Sequence, residues 1–300
     1  MTIDRRYKGI FFMLLAALGF ATMGGAAKAL KESFGAGQLV FYRNMIGLMI
    51  VLPGLMIKPP VQPGGKFLRL AFRGIMGTIA LYTLLYCVLH IPLGTAMSYN
   101  LTSALFIAIF SFFLFGEYHG KKVLLAVLLG FAGMLLIYKP NMHFPWYYHA
   151  AGLISGIVSA IAYITLGRLA IYYEPRVIVL SFLVSGFIIP LVTLLIHYIT
   201  GIHADGLFII DWRWPRGWEW FVVPFMGLAA LFGQYFVTRA FGSDKAGIVS
   251  VFGYSNIIFS VFIGMALGDA FPGIITWTGI CCIICSGVII SLVKRKTSTT

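Results

Sequence analysis

The chain has 300 residues, of which 60% are hydrophobic and only 10% are charged. Soluble domains carry about 25% charged residues, so this composition excludes an ordinary soluble protein and indicates that lipid covers most of the surface. The formal net charge of +13 raises the alternative of a nucleic-acid partner, and the distribution of the basic residues argues against it.

Apolar segments follow one another along almost the whole sequence. A membrane span needs about 20 apolar residues, so the long charge-free window 74–116 is interpreted as two spans that are separated at His90-Ile91-Pro92. The pattern predicts an all-α integral membrane protein with ten transmembrane helices. Their approximate bounds are 9–30, 38–57, 67–89, 93–115, 122–138, 148–172, 176–200, 218–241, 246–267 and 270–293.

The basic residues are distributed unequally between the two ends of these spans. If the N-terminus is cytoplasmic, 16 of the 22 Lys and Arg residues fall on the cytoplasmic side. This bias is typical of multi-pass membrane proteins, so we expect both termini in the cytoplasm, and we attribute the positive charge to topology. The sixteen are Arg5, Arg6, Lys8, Lys58, Lys66, Arg69, Arg73, Lys121, Lys122, Arg168, Arg176, Arg239, Lys245, Lys294, Arg295 and Lys296.

One stretch of the sequence occurs twice. The segment from Pro92 to Glu117 recurs without a gap as Asp244 to Asp269, 152 positions later, and each copy is the fourth of five apolar segments in its half. A unit with five crossings leaves its second copy upside down in the bilayer. The sequence therefore predicts two inverted five-helix repeats, over residues 1–139 and 147–296, which is an arrangement typical of secondary transporters.

Short motifs follow one another in order through both halves. They are Phe41-Tyr42-Arg43-Asn44, Phe72-Arg73-Gly74, Pro92-Leu93-Gly94-Thr95-Ala96 and Gly116-Glu117 in the first half, and Gln234-Tyr235, Thr238-Arg239-Ala240-Phe241 and Ala246 through Asp269 in the second. This ordered set resembles the drug/metabolite transporter superfamily, in its two-repeat EamA-type branch. Lys28 together with the Phe41–Asn44 motif most resembles the group that contains S-adenosylmethionine uptake carriers. One departure is Asp269, where glutamate is common in the family.

Polar groups inside the spans are the candidate substrate ligands. A central Arg or Lys costs about 2.5–3.5 kcal/mol on insertion scales and usually faces a cavity or a partner. Arg43 lies about 8 Å inside its predicted helix, so we expect it at the substrate cavity; a structural ion pair or bonds to carbonyl groups are the alternatives. The full predicted set is Arg43, Lys28, Tyr82, Tyr99, Asn100, Tyr163, Gln234, Tyr254 and Asn256.

Several members of this set are paired between the repeats, Tyr82 with Gln234 and Thr102 with Tyr254. Their hydroxyl, amide and aromatic groups could bind a polar or flat substrate. The alternative is that each forms a hydrogen bond between helices, and that Lys28 lies at the membrane interface.

No acidic residue lies in the middle of a predicted span. A cationic substrate would need a carboxylate in the cavity, whereas Arg43 suits a carboxylate or phosphate group. Proton-driven carriers commonly use a buried carboxylate, so we expect facilitated diffusion or exchange.

These observations predict a secondary transporter that moves a small anionic or zwitterionic metabolite, such as an amino acid or an S-adenosylmethionine-like molecule, by alternating access. A broad-specificity exporter of drugs or metabolites is the alternative, and a channel or lipid flippase is the alternative of another class. The spans contain no constellation typical of an enzyme, and we expect no cofactor and no metal. The partners predicted are the small-molecule substrate and the lipid bilayer, without nucleic acid, and the oligomeric state is left open. The short tails and the family resemblance together indicate a bacterial inner membrane.

Overall fold

A computed structural model describes residues 8–62, 64–103, 105–107, 109–110, 120–138, 144–201, 212–243 and 252–297, without the side chains of residues 120–124, 127, 138 and 290–297. Within this part of the chain all regular secondary structure is helical. Two portions of the repeated sequence, Phe115–Glu117 and Asp244–Ser250, lie outside the described residues, as does part of the predicted boundary between the repeats at 139–147.

Ten α-helices follow one another in these ranges. They are α1 (Lys8–Ala29), α2 (Ala36–Ile57), α3 (Phe67–His90), α4 (Leu93–Leu101), α5 (Gly120–Tyr138), α6 (Trp146–Leu169), α7 (Pro175–Thr200), α8 (Glu219–Ser243), α9 (Ser255–Ala266) and α10 (Ile274–Thr297). Their ends lie within four residues of the predicted ones, except at the end of α4 and the start of α9, which border residues outside the description.

Six of these helices are long and apolar enough to cross a membrane, namely α1, α2, α3, α6, α7 and α8. Large apolar side chains also point outward along the bundle. Leu128 is 57% exposed, Leu195 is 58% exposed and Phe262 is 64% exposed. Such an apolar exterior would be unstable in water over many helices, so the protein is a multi-pass membrane protein.

The ends of α7 show how local sequence sets the helix bounds. Pro175 occupies the first helical position, where its missing N–H is not needed. At the other end Gly201 has φ +65°, a left-handed conformation that glycine adopts without steric cost. The Gly201 N–H donates to the His197 carbonyl over 2.9 Å and so terminates the helix.

Two helices of the bundle are interrupted at matching places. After α4 the chain makes a turn at Thr102, whose N–H donates to Tyr99 O over 3.1 Å. Immediately before α9 it makes a turn at Tyr254, whose carbonyl accepts from Ile257 N over 3.0 Å. These are three-residue bonds of the 3₁₀ type inside otherwise α-helical segments. The two turns are 152 positions apart, which is the spacing of the repeated sequence.

The helices pack in antiparallel pairs that join the first five helices to the last five. The antiparallel pairs are α1 with α8, α2 with α7, α3 with α6, α4 with α9 and α5 with α10, and extensive contacts also join α3 to α7, α1 to α9 and α2 to α8. The α1–α8 contact is one of several close approaches, because a Cβ atom on Gly19 would lie 2.8 Å from the backbone nitrogen of Gly233. Only glycine leaves room for two helix backbones at this distance.

Hydrogen bonds join the other helix pairs. Ser155 in α6 donates to Ala80 O in α3 over 3.0 Å, and Ser286 in α10 donates to Ala126 O in α5. The crossings define two ends of the bundle. We call the end at which α1 begins the N-side, and the end at which α1 finishes the opposite side.

Candidate functional site

A cavity of about 1,030 Å³, including its space open to solvent, lies in the middle of the bundle. Eight helices contribute to its wall: α1 to α4 and α6 to α9. Most of the lining is apolar or aromatic, a composition typical of small-molecule sites. The polar side chains on the wall are Arg43, Arg73, Asn100, Ser103, Ser159, Tyr163, Gln234 and Asn256.

Arg43 of α2 is on the wall, as the sequence analysis expected. Its side chain is only 2% exposed, and its guanidinium carbon lies 4.9 Å from the centre of the Phe182 ring. Its Nε donates to the Met23 sulfur over 3.3 Å and one Nη donates to Asn44 Oδ1 over 3.0 Å. Both partners are neutral, so within the described chain the positive charge of Arg43 is not compensated by a carboxylate.

Arg73 of α3 lies on the same wall, although the sequence analysis only counted it among the basic residues of the cytoplasmic side and did not name it as a candidate ligand. Arg73 is 2% exposed, and its guanidinium carbon lies 5.1 Å from the centre of the same Phe182 ring. Its Nε and Nη1 atoms have no hydrogen-bond partner among the described residues. A buried guanidinium with unused donors is costly unless a ligand or water satisfies it.

The position of Arg73 along α3 explains why it is buried. It is about 9 Å from the start of the helix, and the residues four, seven and eleven positions further on, Gly77, Ala80 and Leu84, also line the cavity. These spacings place all four residues on one helix face. A Cβ atom on Gly77 would lie 3.2 Å from Arg73 Nη1 and 2.8 Å from the Phe182 ring, so the glycine makes room for the guanidinium. That spacing is the signal in the sequence that could have identified Arg73.

Three amides and a phenol among the predicted residues also line the cavity. Asn100 donates to Ser155 Oγ over 2.7 Å and to Ser159 Oγ over 3.0 Å. Asn256 donates to Ala17 O over 2.8 Å. The remaining two are Gln234 and Tyr163.

Gln234 and Tyr163 present polar groups to the cavity from α8 and α6. Gln234 is 6% exposed, and its Nε2 has no hydrogen-bond partner in the described structure. Tyr163 stacks on Phe241 with ring centres 5.2 Å apart, and its phenol is close enough to interact electrostatically with both Arg43 and Arg73. The structure therefore brings Arg43, Asn100, Tyr163, Gln234 and Asn256 together, which is five of the nine predicted residues.

The other four predicted residues do not line the cavity. Lys28 forms an ion pair with Asp269 on the opposite side of the bundle. The Tyr99 hydroxyl is hydrogen-bonded to His149 Nδ1 over 2.8 Å. Tyr82 and Tyr254 are 1% and 3% exposed within the packed core, the first beside Thr193 and the second against Gly287.

No Asp or Glu is among the residues that line the cavity in the described part of the chain. The described part of the chain also contains no cluster of three or more His, Cys, Asp or Glu side chains that could hold a metal ion. The cavity wall therefore carries two positive charges, several neutral hydrogen-bonding groups and aromatic faces. Such a wall favours a negatively charged group on a ligand.

Two polar networks join the helices on the opposite side of the bundle. In the first, the Lys28 amine contacts the Asp269 carboxylate and donates to Ile91 O over 3.1 Å, and Asp269 Oδ2 accepts from Leu93 N over 2.9 Å. This network connects the end of α1, the α3–α4 turn and the chain after α9.

The second network is built on Glu219 at the start of α8, whose side chain is only 5% exposed. Its carboxylate accepts from Ser33 Oγ, from Arg213 Nη2 over 3.0 Å and from Arg216 N over 2.8 Å. The Arg213 carbonyl in turn accepts from the Tyr42 hydroxyl over 2.8 Å. This network connects α8 to the turn after α1 and to the start of α2.

On the N-side, the loops before α3 and α7 are joined by Glu174. One carboxylate oxygen accepts from Val61 N over 3.0 Å, and the other is paired with Arg176 at 2.7 Å. The hydrogen bond from the Val61 N–H and the adjacent Arg176 guanidinium hold the pKa of the Glu174 carboxyl below its usual value. The Tyr173 hydroxyl also accepts from Lys66 N over 2.9 Å.

Comparison with known proteins agrees with this structure. The profile of the EamA-like transporter family matches residues 7–139, and an "Uncharacterized transporter" of Helicobacter pylori is 30% identical over 291 residues, which cover 95% of this chain and 94% of that protein. The chain belongs to the EamA-like transporter family.

Other relatives of this EamA-family chain extend the comparison. It is 27% identical over 301 residues to the "Pseudopaline exporter CntI" of Pseudomonas aeruginosa, which covers 98% of this chain and all of that protein. A solved structure, "Crystal structure of protein", superposes on 96% of this chain and on 98% of the solved chain, with a TM-score of 0.66 and 19% sequence identity. The two chains therefore share a fold. The EamA-family chain is a membrane transporter, since it matches proteins with transporter names over almost its whole length.

Proposed function

We propose that this EamA-family protein is a secondary transporter for a small metabolite with an acidic group, either an anion or a zwitterion, which binds in the central cavity. The observation that carries the proposal is the pair of buried arginines, Arg43 and Arg73, on a wall without an acidic side chain in the described structure. A guanidinium presents five N–H donors and remains protonated, so its natural ligand is a carboxylate or a phosphate.

The rest of the wall suits an organic skeleton with further polar groups. The amides of Asn100, Gln234 and Asn256 offer both donors and acceptors, and the carbonyl oxygens among them could accept from the amine of a zwitterion. The aromatic rings of Tyr163 and Phe182 offer faces for apolar or cationic parts of the substrate. Amino acids and S-adenosylmethionine-like molecules combine these features.

The proposed transport mechanism is alternating access between two inverted five-helix repeats, residues 1–139 and 147–296. The observed helix pairing supports the repeats. If each helix of the first five is exchanged with the helix five places later, so that α1 takes the place of α6 and α3 that of α8, the α1–α8 pair becomes the α6–α3 pair. The pairs α2–α7, α4–α9 and α5–α10 are unchanged by this exchange. The turns at Thr102 and Tyr254 are exchanged in the same way. Rocking of one such repeat against the other exposes a central site to each side in turn.

The proposed orientation places both termini in the cytoplasm of a bacterium, with the protein in the inner membrane. In this orientation the N-side is cytoplasmic, and the networks of Lys28 with Asp269 and of Glu219 with Arg213 close the periplasmic side. The cavity wall on α6 and α8, residues 159–163 and 234–241, lies in the N-side half of each helix. These features support a conformation that is closed to the outside.

The experiment that tests this function is thermal unfolding of the purified protein with a panel of amino acids, S-adenosylmethionine, nucleosides, sugar phosphates and hydrophobic cations. The unfolding midpoint should rise with at least one class that carries a carboxylate or phosphate. Arg43→Gln should abolish this rise. Arg239→Gln is the matched control, because Arg239 is exposed and lies on α8 outside the cavity wall, with its guanidinium carbon 5.5 and 5.2 Å from the ring centres of Phe12 and Tyr235.

A broad-specificity exporter is the alternative that the mostly apolar wall favours. In that case hydrophobic cations would raise the unfolding midpoint most, and Arg43→Gln would leave their effect unchanged. That outcome would contradict the proposed recognition of an acidic group.

A further inference from the structure

We propose that the cavity contains two anion subsites, one at Arg43 and one at Arg73, and that the transported metabolite is therefore a small organic dianion. This inference rests on the proposed function and narrows its substrate class. The dianion can carry two carboxylates or a doubly charged phosphate group, since both present two negative charges to two guanidiniums.

The two guanidiniums come from different helices to the same ring. Arg43 projects from α2 and Arg73 from α3, and their central carbons lie 4.9 and 5.1 Å from the centre of the Phe182 ring. Because both distances are measured from one point, the two carbons are at most 10.0 Å apart. A short carbon skeleton can therefore place one acidic group at each arginine.

The hydrogen bonds of the two arginines differ, and the difference indicates that Arg73 is an independent subsite. Arg43 already donates to two neutral acceptors, Met23 and Asn44. Arg73 has two nitrogens, Nε and Nη1, that donate to no group in the described part of the chain. A ligand that satisfied Arg43 alone would leave these buried donors of Arg73 unsatisfied.

The charges lead to the same conclusion. Two positive charges share an apolar cavity, and the carboxylates of the salt bridges in the described structure are bound elsewhere, to Lys28, Lys31, Arg176 and Arg213. Like charges repel more strongly where the dielectric constant is low. A monoanion would compensate only one guanidinium, whereas a dianion compensates both and removes their repulsion.

The test compares each dicarboxylate with its own monoamide, so that one negative charge is removed while the length and shape are kept. The probes are malonate, succinate, glutarate and adipate, the monoamides of these acids, and glycerol 3-phosphate against its methyl phosphodiester, which carries one negative charge. The readouts are stabilisation of the purified protein against heat and counterflow uptake in proteoliposomes. The variants are Arg73→Gln, Arg43→Gln and the control Arg239→Gln.

We expect one dianion to be bound at least about tenfold more tightly than its matched compound with one charge fewer, as one charge-assisted bidentate contact requires. In Arg73→Gln this ratio should fall towards one, because the dianion loses affinity while the monoamide keeps it. Arg239→Gln should keep the full ratio. If the dianion with this preference is a dicarboxylate, the two arginines bind two separate acidic groups. If it is glycerol 3-phosphate, one phosphate group contacts both arginines.

Equal binding of each dianion and its matched compound by the unmodified protein would overturn the two-subsite proposal. If those compounds also lost binding in Arg43→Gln, the proposed function would stand with a single anion subsite. If neither member of any pair bound, and only the hydrophobic cations of the panel described under the proposed function did, the proposed function would fail as well. If Arg73→Gln does not fold, Arg73→Lys is the variant to use, because lysine keeps the positive charge. Arg73→Lys should retain the preference for the dianion. If it has normal stability but has lost the preference, that result counts against an electrostatic role for Arg73.

Discussion

The strength of the ion pair between Lys28 and Asp269 on the opposite side of the bundle can be tested quantitatively. The two side chains are 9% and 15% exposed, so the pair is largely removed from solvent. Removal of one partner from a buried pair costs about 3–5 kcal/mol, because the other charge is left uncompensated. The partial exposure of Asp269 places our expectation near the lower figure.

The change to make is Asp269→Asn. The asparagine oxygen can still accept the Leu93 N–H that Asp269 Oδ2 accepts over 2.9 Å, so the variant removes the charge and keeps this hydrogen bond. Lys28 would retain only Ile91 O as a described hydrogen-bond acceptor. We expect the free energy of unfolding in detergent micelles to fall by about 3 kcal/mol.

The double variant Lys28→Met with Asp269→Asn is the control that separates charge from packing. It removes both charges, so it should be more stable than the sum of the two single effects by about 1–3 kcal/mol. Additive effects in this cycle, or a loss below about 1 kcal/mol for Asp269→Asn, would refute the interpretation of the contact as a buried ion pair.

Two further predictions concern the helix contacts and the N-side loops. Gly19→Ala should destabilise the α1–α8 pair by about 1–3 kcal/mol, because the Cβ atom of the new alanine would lie 2.8 Å from Gly233 N. The matched control in thermal unfolding is Gly54→Ala, whose Cβ atom would have no neighbour within 4 Å. Equal unfolding midpoints for the two variants would contradict the prediction. The pKa of Glu174 is lowered by the Val61 N–H, so its stabilising effect should be complete above the usual carboxyl pKa and lost as the pH falls through the lowered one. Unfolding midpoints of the protein and of Glu174→Gln, compared between about pH 6 and pH 3, should therefore converge towards the acid end, and a constant difference would disprove the effect.

Much of the fold was predictable because the membrane imposes it locally. Each span must be apolar over its own length and satisfy its own backbone, so both requirements are readable within one segment. This is why the bounds of α3, 67–90, agree with the predicted 67–89. Where a helix is interrupted, as at the turn at Thr102 inside the predicted span 93–115, hydropathy alone does not mark the position.

The candidate site was predictable only in part, and Lys28 and Arg73 show the reason. Both are basic residues near the end of an apolar helix. The sequence analysis took Lys28 for a substrate ligand, counted Arg73 only as a basic residue of the cytoplasmic side and did not name it as a candidate ligand. The structure pairs Lys28 with a carboxylate 241 positions away and places Arg73 on the cavity wall.

The sequence by itself thus determined the class of protein, the approximate bounds of its helices, the 152-residue spacing of its repeated segment and the place of Arg43 inside an apolar helix. Only the tertiary structure decided which polar side chains face one cavity and which are satisfied by neighbours. Each of those outcomes depends on the rotation of a helix about its axis and on the helix that packs against it. Both are decided by contacts between residues far apart in the chain, such as Gly19 with Gly233 and Lys28 with Asp269, and no local pattern contains them.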